Sequence, residues 1–547
     1  MKKLDLKNRI KRENLLWVLR QFKPHRGKIT LLVLLQCVVS LLGVASVVVN
    51  KYLVDQATEG ASLAWGIGIM LGATALTVAI NLFVQMWMIT FSEKCSFSIR
   101  RAVYSKLLRT RMQKLRTFHS EDVLTRLTSD VEKVSSGILH ILINGVGTFV
   151  KLISAFLLLY YYDPRLALVV LLIAPIGVGS FLLLSGKMRY AQENYQKSEG
   201  TYRVFLQENL KNMEVVKAFS GEEQSEEKLM QLRDERLMWT VKLRRLQTVS
   251  RTIIHITFTM GTTIAFLAGV VQIAEGNITY GTMTAFLSLV GQVQTPVLSL
   301  GEMARRFIAV MASVPRIMEV EGLEQDERAE STAVADMVAI RGEKLTFSYD
   351  KEEIFRDFSF TVTPGEMVAV TGQSGAGKTT LIKLLLGFTT PDAGELILQT
   401  KDGEMPISGA TRQYFSYVPQ GNTLFQGTIR ENLQMADGNA DEQTLWTALE
   451  TACAKEFVEN LPQGLDTLIG ERASGISEGQ AQRIAIARAM LRKAPVVIFD
   501  EATSALDEDT ETKILQNISE KAGDTAYLII THRQKALQYC TKRIEIA

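Results

Sequence analysis

The sequence predicts two folds in series: an α-helical polytopic membrane domain of six spans, then an α/β domain on a parallel sheet. Three observations carry this prediction. Six apolar stretches are long enough to cross hydrocarbon as helices, which takes about 20 residues, and five of them contain no Asp, Glu, Lys or Arg. The carboxyl-terminal part instead carries short apolar runs bounded by glycines and acids, the pattern of buried parallel strands. One such run, MVAVT at 367–371, leads directly into GQSGAGKTT and then the helical LIKLLLGF.

The six stretches lie at 29–49, 62–91, 137–162, 166–185, 252–274 and 281–301. Buried core helices would be shorter and would show polar faces at 3.6-residue spacing. The basic opening MKKLDLKNRIKRENL precedes a run too long for a secretory signal, without a small-residue cleavage pattern. Connections 51–61, 163–165 and 275–280 are short and nearly free of Lys and Arg. The amino-terminal segment and the connections 92–136 and 186–251 together hold over thirty basic residues, which places them in the cytoplasm. Both termini then lie inside. The two long connections are helical in pattern, so the membrane helices are expected to continue beyond the bilayer. Lys151 falls near the middle of the third span, where a charge normally faces a wet cavity or an internal partner. It is either a structural lysine or the lining of a pathway for an anionic group.

Pro315 and the acidic run 319–330 mark a solvated linker. The expected division is 1–28 as a cytoplasmic segment, 29–316 as the six-helix domain, 317–337 as linker and 338–547 as the α/β domain. A net charge of +3 gives no nucleic-acid footprint, so no nucleic-acid partner is expected. Cys37, Cys95, Cys453 and Cys540 are far apart, without metal-ligand spacing or a disulfide framework.

In the second half, strand, G-x-x-x-x-G-K-T loop and helix follow one another as a phosphate cradle requires. Gly372, Gln373, Ser374, Gly375, Ala376 and Gly377 supply backbone N–H groups; Lys378 adds a positive charge, and the Thr379 hydroxyl, followed by Thr380, is a ligand for Mg²⁺. The run PVVIFDE ends in Asp500, placed to hold Mg²⁺ through water, and Glu501, a candidate general base. A third strand, AYLIITH, ends in His532, positioned for a γ-phosphate. Groups at three strand ends sit where open α/β sheets bind ligands. Farther along, GISEGQAQRIAIARA opens a helix whose anion-attracting start already carries Glu478.

Together these motifs resemble the ABC transporters of the exporter type: half-transporters with a six-helix membrane domain fused to one nucleotide-binding domain. GQSGAGKT matches Walker A and VVIFDE matches Walker B; YVPQ with Gln420 matches the Q-loop, SALD at 504–507 the D-loop, and His532 the switch histidine. Tyr349 in FSYD matches the aromatic that stacks on adenine. SEDVLTRLTSDVEKV and ENLKNMEVVKAF resemble cytoplasmic extensions that couple to the ATPase domains. The family signature, usually LSGGQ, reads ISEGQ here: Ser477, Gly479 and Gln480 are retained and Glu478 replaces a glycine.

The resemblance implies ATP as ligand, Mg²⁺ on Thr379, Gln420 and Asp500, and catalysis by Glu501 and His532. It also implies a second half-transporter whose ATP meets Ser477, Glu478, Gly479 and Gln480. Two like charges about 4 Å apart repel by a few kcal/mol at an effective dielectric near 20, which a carboxylate turned outward avoids. Two readings of Glu478 stand: a heterodimer whose altered signature serves a weakened site, or a homodimer with Glu478 in solvent. The expected function is ATP-driven efflux by alternating access in a bilayer, with both termini and the nucleotide-binding domain cytoplasmic, in a bacterial inner membrane. The alternative is an ATP-gated channel or regulator of the same architecture. A soluble ATPase acting on nucleic acid gives no reason for six spans, and with about 28 residues before the first span no amino-terminal peptidase is expected.

Overall fold

The computed structural model describes residues 12–118, 120–327, 334–349, 352–373, 375–470, 475–521 and 523–546; several side chains between 171 and 182, and that of Leu298, are also outside the description. The chain divides into two compact units, Met1–Tyr104 with Val123–Glu319, and Ser105–Asp122 with Val320–Ala547.

The first unit is helical. After a short helix Arg12–Phe22 come α1 (Arg26–Thr58), α2 (Ala64–Leu107), α3 (Val131–Tyr162), α4 (Pro164–Lys211), α5 (Glu222–Ala274) and α6 (Tyr280–Glu321). Among the described residues, five helical stretches are long and apolar enough to cross a membrane. The remaining apolar stretch, 166–185, lies within α4. The 48 residues of α4 and 53 of α5 correspond to about 70–80 Å, more than twice a hydrocarbon core of about 30 Å. These helices therefore run well past the bilayer.

Packing follows the apolar stripes. Val44 and Val47 of α1, Ala155 and Leu159 of α3, Ala167 of α4, Ala265 of α5 and Phe286 and Leu289 of α6 form one buried cluster. Polar side chains fix the helix ends. Asp163 caps α4, accepting from the N–H groups of Arg165 (2.9 Å) and Leu166 (3.1 Å), while Gln272 of α5 donates to its other oxygen at 2.7 Å. Pro164 fits the first helical position because its missing N–H has no intrahelical partner there. Asp55 of α1 does the same for α6, accepting from the Gly281 N–H at 2.9 Å and pairing with Lys51 at 2.9 Å. Burial alone would raise the Asp55 carboxyl, but hydrogen bonds from Thr279, Lys51 and Gly281 outweigh it and hold the group below its ordinary range. Lys151 is half-buried on α3 and makes no ion pair among the described residues.

The second unit holds β1 (Met337–Tyr349), β2 (Glu352–Val362), β3 (Met367–Gly372), β4 (Ala393–Thr400), β5 (Gly403–Pro406), β6 (Phe415–Val418), β7 (Gly427–Thr428), β8 (Leu468–Ile469), β9 (Val496–Asp500), β10 (Ala526–Ile530) and β11 (Lys542–Ile546). The parallel sheet has the order β11-β3-β10-β9-β6, and the antiparallel sheet the order β2-β1-β4-β5. Alternation along each central strand feeds two cores. Val497 and Phe499 of β9 and Tyr527 and Ile529 of β10 face one cluster with Leu445, Ile484 and Ile514. Val496, Ile498, Leu528 and Ile530 face the other, with Leu381 and Leu385 of α7 (Lys378–Leu385) and with Leu345 and Leu398 of the antiparallel sheet.

Ser105–Asp122 is tied to the start of this unit. Arg111 N–H donates to Glu324 O at 3.1 Å, Asp326 N–H donates to Arg109 O at 2.6 Å, and Arg412 pairs with Asp326.

A Cβ at Gly281 would lie 2.2 Å from the Lys51 carbonyl oxygen, so α1 and α6 approach there as only glycine permits. Gly281→Val is expected to lower the thermal midpoint of the purified protein by several degrees, at a cost of about 1–3 kcal/mol. A scanning melt in detergent checks this, and an unchanged midpoint contradicts the close approach.

Candidate active site

The parallel register brings four loop segments to one edge. Ile530 of β10 lies beside Val370 of β3 and beside Asp500 of β9, and Val418 of β6 lies beside Phe499. The residues just past these positions are the predicted loop at 372–377, then Glu501, His532 and Gln420. All stand at the carboxyl ends of parallel strands, the edge where such sheets bind ligands.

The loop after β3 is shaped for an anion. Gly375 and Gly377 adopt φ of 88° and 104°, and a Cβ on Gly377 would meet Ile354 Cγ2 at 2.4 Å. Lys378 opens α7 as a buried residue whose ammonium donates to Gly372 O at 2.8 Å and Gln373 O at 2.9 Å. Thr379 is exposed on the first turn, whereas Thr380 is buried. Ser374 lies outside the described residues.

Asp500 is 6% exposed and accepts from the Tyr417 hydroxyl at 3.1 Å. Burial pushes its carboxyl up and Glu501 adds to this; Tyr417, Lys383 and Lys378 only partly offset it. A buried carboxylate held above its usual range gains from a cation. Among the described residues no cluster of three His, Cys, Asp or Glu gathers anywhere. The Asp500 carboxylate and the nearby Thr379 hydroxyl are the oxygen ligands this edge would offer to a small divalent cation.

Glu501 follows with φ of 49°, a left-handed conformation that costs a non-glycine residue about 1–2 kcal/mol. The turn carries its carboxylate out of the strand line. Gln420 Nε2 donates to one oxygen at 2.6 Å, and His532 Nε2 stands 3.7 Å from the other. Gln420 is thus directed at Glu501 rather than at Asp500.

Tyr349 ends β1, with its ring 4.9 Å edge-on from Phe347 and Lys383 Nζ 5.7 Å from its centroid. Burial would raise its phenol, but Thr380, Lys383 and Arg116 together hold it below the ordinary range. The signature residues are at the start of α8 (Glu478–Leu491). Ser477 is its N-cap: Ser477 Oγ accepts from Gln480 N–H at 3.3 Å, and Gln480 Oε1 accepts from Ser477 N–H at 2.8 Å. Glu478 is exposed at the first helical position, and Gly479 is packed against the 504–507 segment.

Two residues that sequence reasoning missed, Gln482 and Arg533, hold that segment. Gln482, 1% exposed, accepts from Ala505 N–H at 3.1 Å and donates to Ser504 Oγ at 3.2 Å. Arg533 donates to Ser504 O and Leu506 O at 2.9 Å each, and to the buried Glu511 at 3.0 Å. Thr503 Oγ1 donates to the other Glu511 oxygen at 2.6 Å. The signal in the sequence was slight: a glutamine among the alanines and isoleucines of a helix, and an arginine next to a histidine.

Residues 28–297 match the ABC transporter transmembrane region family, and residues 355–504 match the ABC transporter family. Over 535 residues the chain is 30% identical to the ATP-dependent lipid A-core flippase of Acinetobacter baylyi (strain ATCC 33305 / BD413 / ADP1), covering 95% of this chain and 92% of that one. The chain belongs to the ABC transporter family. An uncharacterized ABC transporter ATP-binding protein, YfiC, of Bacillus subtilis (strain 168) is 28% identical over 98% of this chain and 91% of its own. A bacterial Atm1-family ABC exporter solved with ATP bound shares the fold, with a TM-score of 0.80 over 96% of this chain and 94% of that one at 22% identity. This ABC transporter is a multi-pass membrane protein, a half-transporter that works as part of a dimer. It couples ATP hydrolysis to export, and the ATP-gated channel is the less supported alternative.

Gly377→Val, on this geometry, is expected to weaken binding of a fluorescent ATP analogue at least tenfold with the fold retained by circular dichroism; unchanged affinity contradicts the cradle. Arg533→Ala strands the buried Glu511 carboxylate. Such losses cost about 3–5 kcal/mol at full burial. With Arg533 partly exposed, about 2 kcal/mol of domain stability is the expected loss by chemical denaturation, and Arg533→Lys is expected to recover part of it.

Proposed function

We propose that ATP binds across the 372–380 loop with its adenine at Tyr349, and that Glu501 is the general base of its hydrolysis. The placement of the Glu501 carboxylate between Gln420 and His532 carries this reading. Gln420 orients one carboxylate oxygen by its hydrogen bond, and His532, beside the other oxygen, would contact the γ-phosphate. Lys378 exchanges its loop carbonyls for phosphate oxygens, and the loop N–H groups complete the cradle. Thr379, Asp500 and, once its amide oxygen turns toward them, Gln420 would hold Mg²⁺, which would supply charge neutralisation at the phosphates.

The positive-inside pattern supports a cytoplasmic nucleotide-binding domain and cytoplasmic termini, and the bacterial relatives support an inner-membrane location. Relatives from Photobacterium profundum and Vibrio cholerae also carry the name ATP-dependent lipid A-core flippase, at 28% and 30% identity. These names support an amphiphilic substrate for this chain.

The second half of the dimer contributes its own signature helix to the site, and this chain's α8 serves the partner. With the Ser477–Gln480 cap intact, the effect of Glu478 is electrostatic: it opposes the γ-phosphate that the partner holds. The reading favoured is an asymmetric pair, in which a different half with an unmodified signature serves the Glu501 site.

Glu501→Gln is expected to reduce phosphate release about 10²–10⁴-fold while leaving ATP binding in place, by the usual size of a general-base contribution. Wild-type turnover in that variant overturns the assignment. Glu478→Gly in the isolated chain is expected to raise turnover about tenfold, equivalent to about 1.4 kcal/mol of relieved repulsion. Robust hydrolysis by the unmodified chain alone, unaffected by that change, favours a homodimer instead.

A further inference from the structure

Outside the nucleotide site, α4 and α5 enclose a groove of about 960 Å³, with Lys187 and Tyr190 on one wall and Met238, Lys242, Arg245 and Leu246 on the other. Its chemistry is split. Lys242 Nζ lies 4.8 Å from the Trp239 ring centroid and 6.0 Å from that of Tyr190, and the two rings meet edge-on at 5.8 Å. Among the described residues, Lys187, Lys242 and Arg245 make no ion pair. The one acid at the groove, Asp234, is paired with Arg233 at 2.6 Å. Three cations thus stand over an apolar floor without a counter-charge.

The floor continues up α5. A second groove, of about 360 Å³, is lined by His255, Ile256, Thr259, Met260, Thr263 and Ile264. Ile256, Met260, Thr263 and Ile264 follow Met238, Lys242, Arg245 and Leu246 by about 18 residues each, which is five helical turns. The two grooves therefore lie on one face of α5, with exposed Val249 and Ile253 between them. The cations stop where the span begins at 252. Lys187 lies about 3 Å past the end of the preceding span, and Arg245 about 10 Å before the next, which is the depth of lipid headgroups. From 252 to Ile264 the helix rises about 18 Å, close to the hydrocarbon depth of one leaflet.

We propose that this face of α5, with Lys187 and Tyr190 of α4, binds an anionic phospholipid of the surrounding leaflet. The phosphate lies among Lys187, Lys242 and Arg245, and an acyl chain runs along Ile253, Ile256, Met260 and Ile264. The uncompensated positive charge selects an anion over a zwitterion, and the uncharged upper groove selects an amphiphile over a soluble anion. The site requires only that these helices stand in a bilayer, so it is independent of what is exported.

The test uses the full chain in detergent, titrated with phosphatidylglycerol or phosphatidylcholine and read by native mass spectrometry. Phosphatidylglycerol is expected to bind at least tenfold more tightly, a preference lost in Lys187→Gln/Lys242→Gln/Arg245→Gln. It is expected to be retained in Lys187→Arg/Lys242→Arg/Arg245→Lys, and ATP turnover in phosphatidylcholine is expected to be unchanged in both variants. Equal binding of the two lipids, or an unaltered preference in the glutamine variant, overturns the proposal. So does displacement of bound lipid by millimolar glycerol phosphate, which points to a soluble anion, and so does a lower dimer fraction in the glutamine variant without altered lipid binding, which points to a second copy on this face. Failure of hydrolysis or export with the lipid preference intact counts against the transport reading alone.

Discussion

The hydrogen-bonded register of β3, β10 and β9 is the constraint on which the nucleotide chemistry depends. Because Ile530 is level with both Val370 and Asp500, the glycine loop, the paired acids and His532 emerge at one height. A slip of one residue would exchange the two faces of a strand, sending Ile529 toward the wrong core and His532 away from Glu501. Burial on both faces makes such a slip costly. Val368, Ile498 and Leu528 have no solvent-facing alternative, so apolar packing on either side of the sheet sets the geometry of a polar edge.

The left-handed turn at Glu501 belongs to the same arrangement. Asp500 completes β9 and stays buried against Tyr417, while the next residue leaves the strand and reaches Gln420 and His532. Two adjacent carboxylates are thereby given unlike surroundings: one dry and raised, the other half-exposed and hydrogen-bonded. Backbone strain at Glu501 persists because its N–H still finds Ile530 O at 3.2 Å and its carbonyl accepts from Ser504 N–H at 3.1 Å. The segment that follows is then gripped from both sides, by Gln482 of the signature helix and by Arg533 beside His532.

What the sequence disclosed and what it hid follow from sequence separation. The 367–385 unit was legible because strand, loop and helix are contiguous and each residue type has a local reason. The long helices were legible because apolar runs and basic helical connections adjoin. Gln482, Arg533, Glu511 and Tyr417 were not, since their partners lie 8 to 83 residues away and only the folded sheet joins them. Gln420 was named from resemblance as a metal ligand, and its hydrogen bond to Glu501 has no trace in local pattern. In the antiparallel sheet β2-β1-β4-β5 the β1–β2 and β4–β5 pairs are hairpins between neighbours in sequence, whereas the β1–β4 pairing joins distant strands, with register shifts along β1.

Glu478 stands where the fold makes no steric demand. At the start of α8 the Gln480 N–H is served by Ser477 Oγ and the Ser477 N–H by Gln480 Oε1, and neither bond involves the side chain at 478. The sterically bound position is the next one: a Cβ on Gly479 would stand 3.0 Å from the Ala505 carbonyl oxygen. Position 479 must therefore stay small for the 504–507 segment to pack, whereas position 478 is free to carry a side chain without disturbing the fold. A carboxylate there even suits the helix dipole. Nothing in these contacts opposes a carboxylate at 478, so on the proposed reading its consequence falls on the anion offered to the signature helix, held at the partner's site.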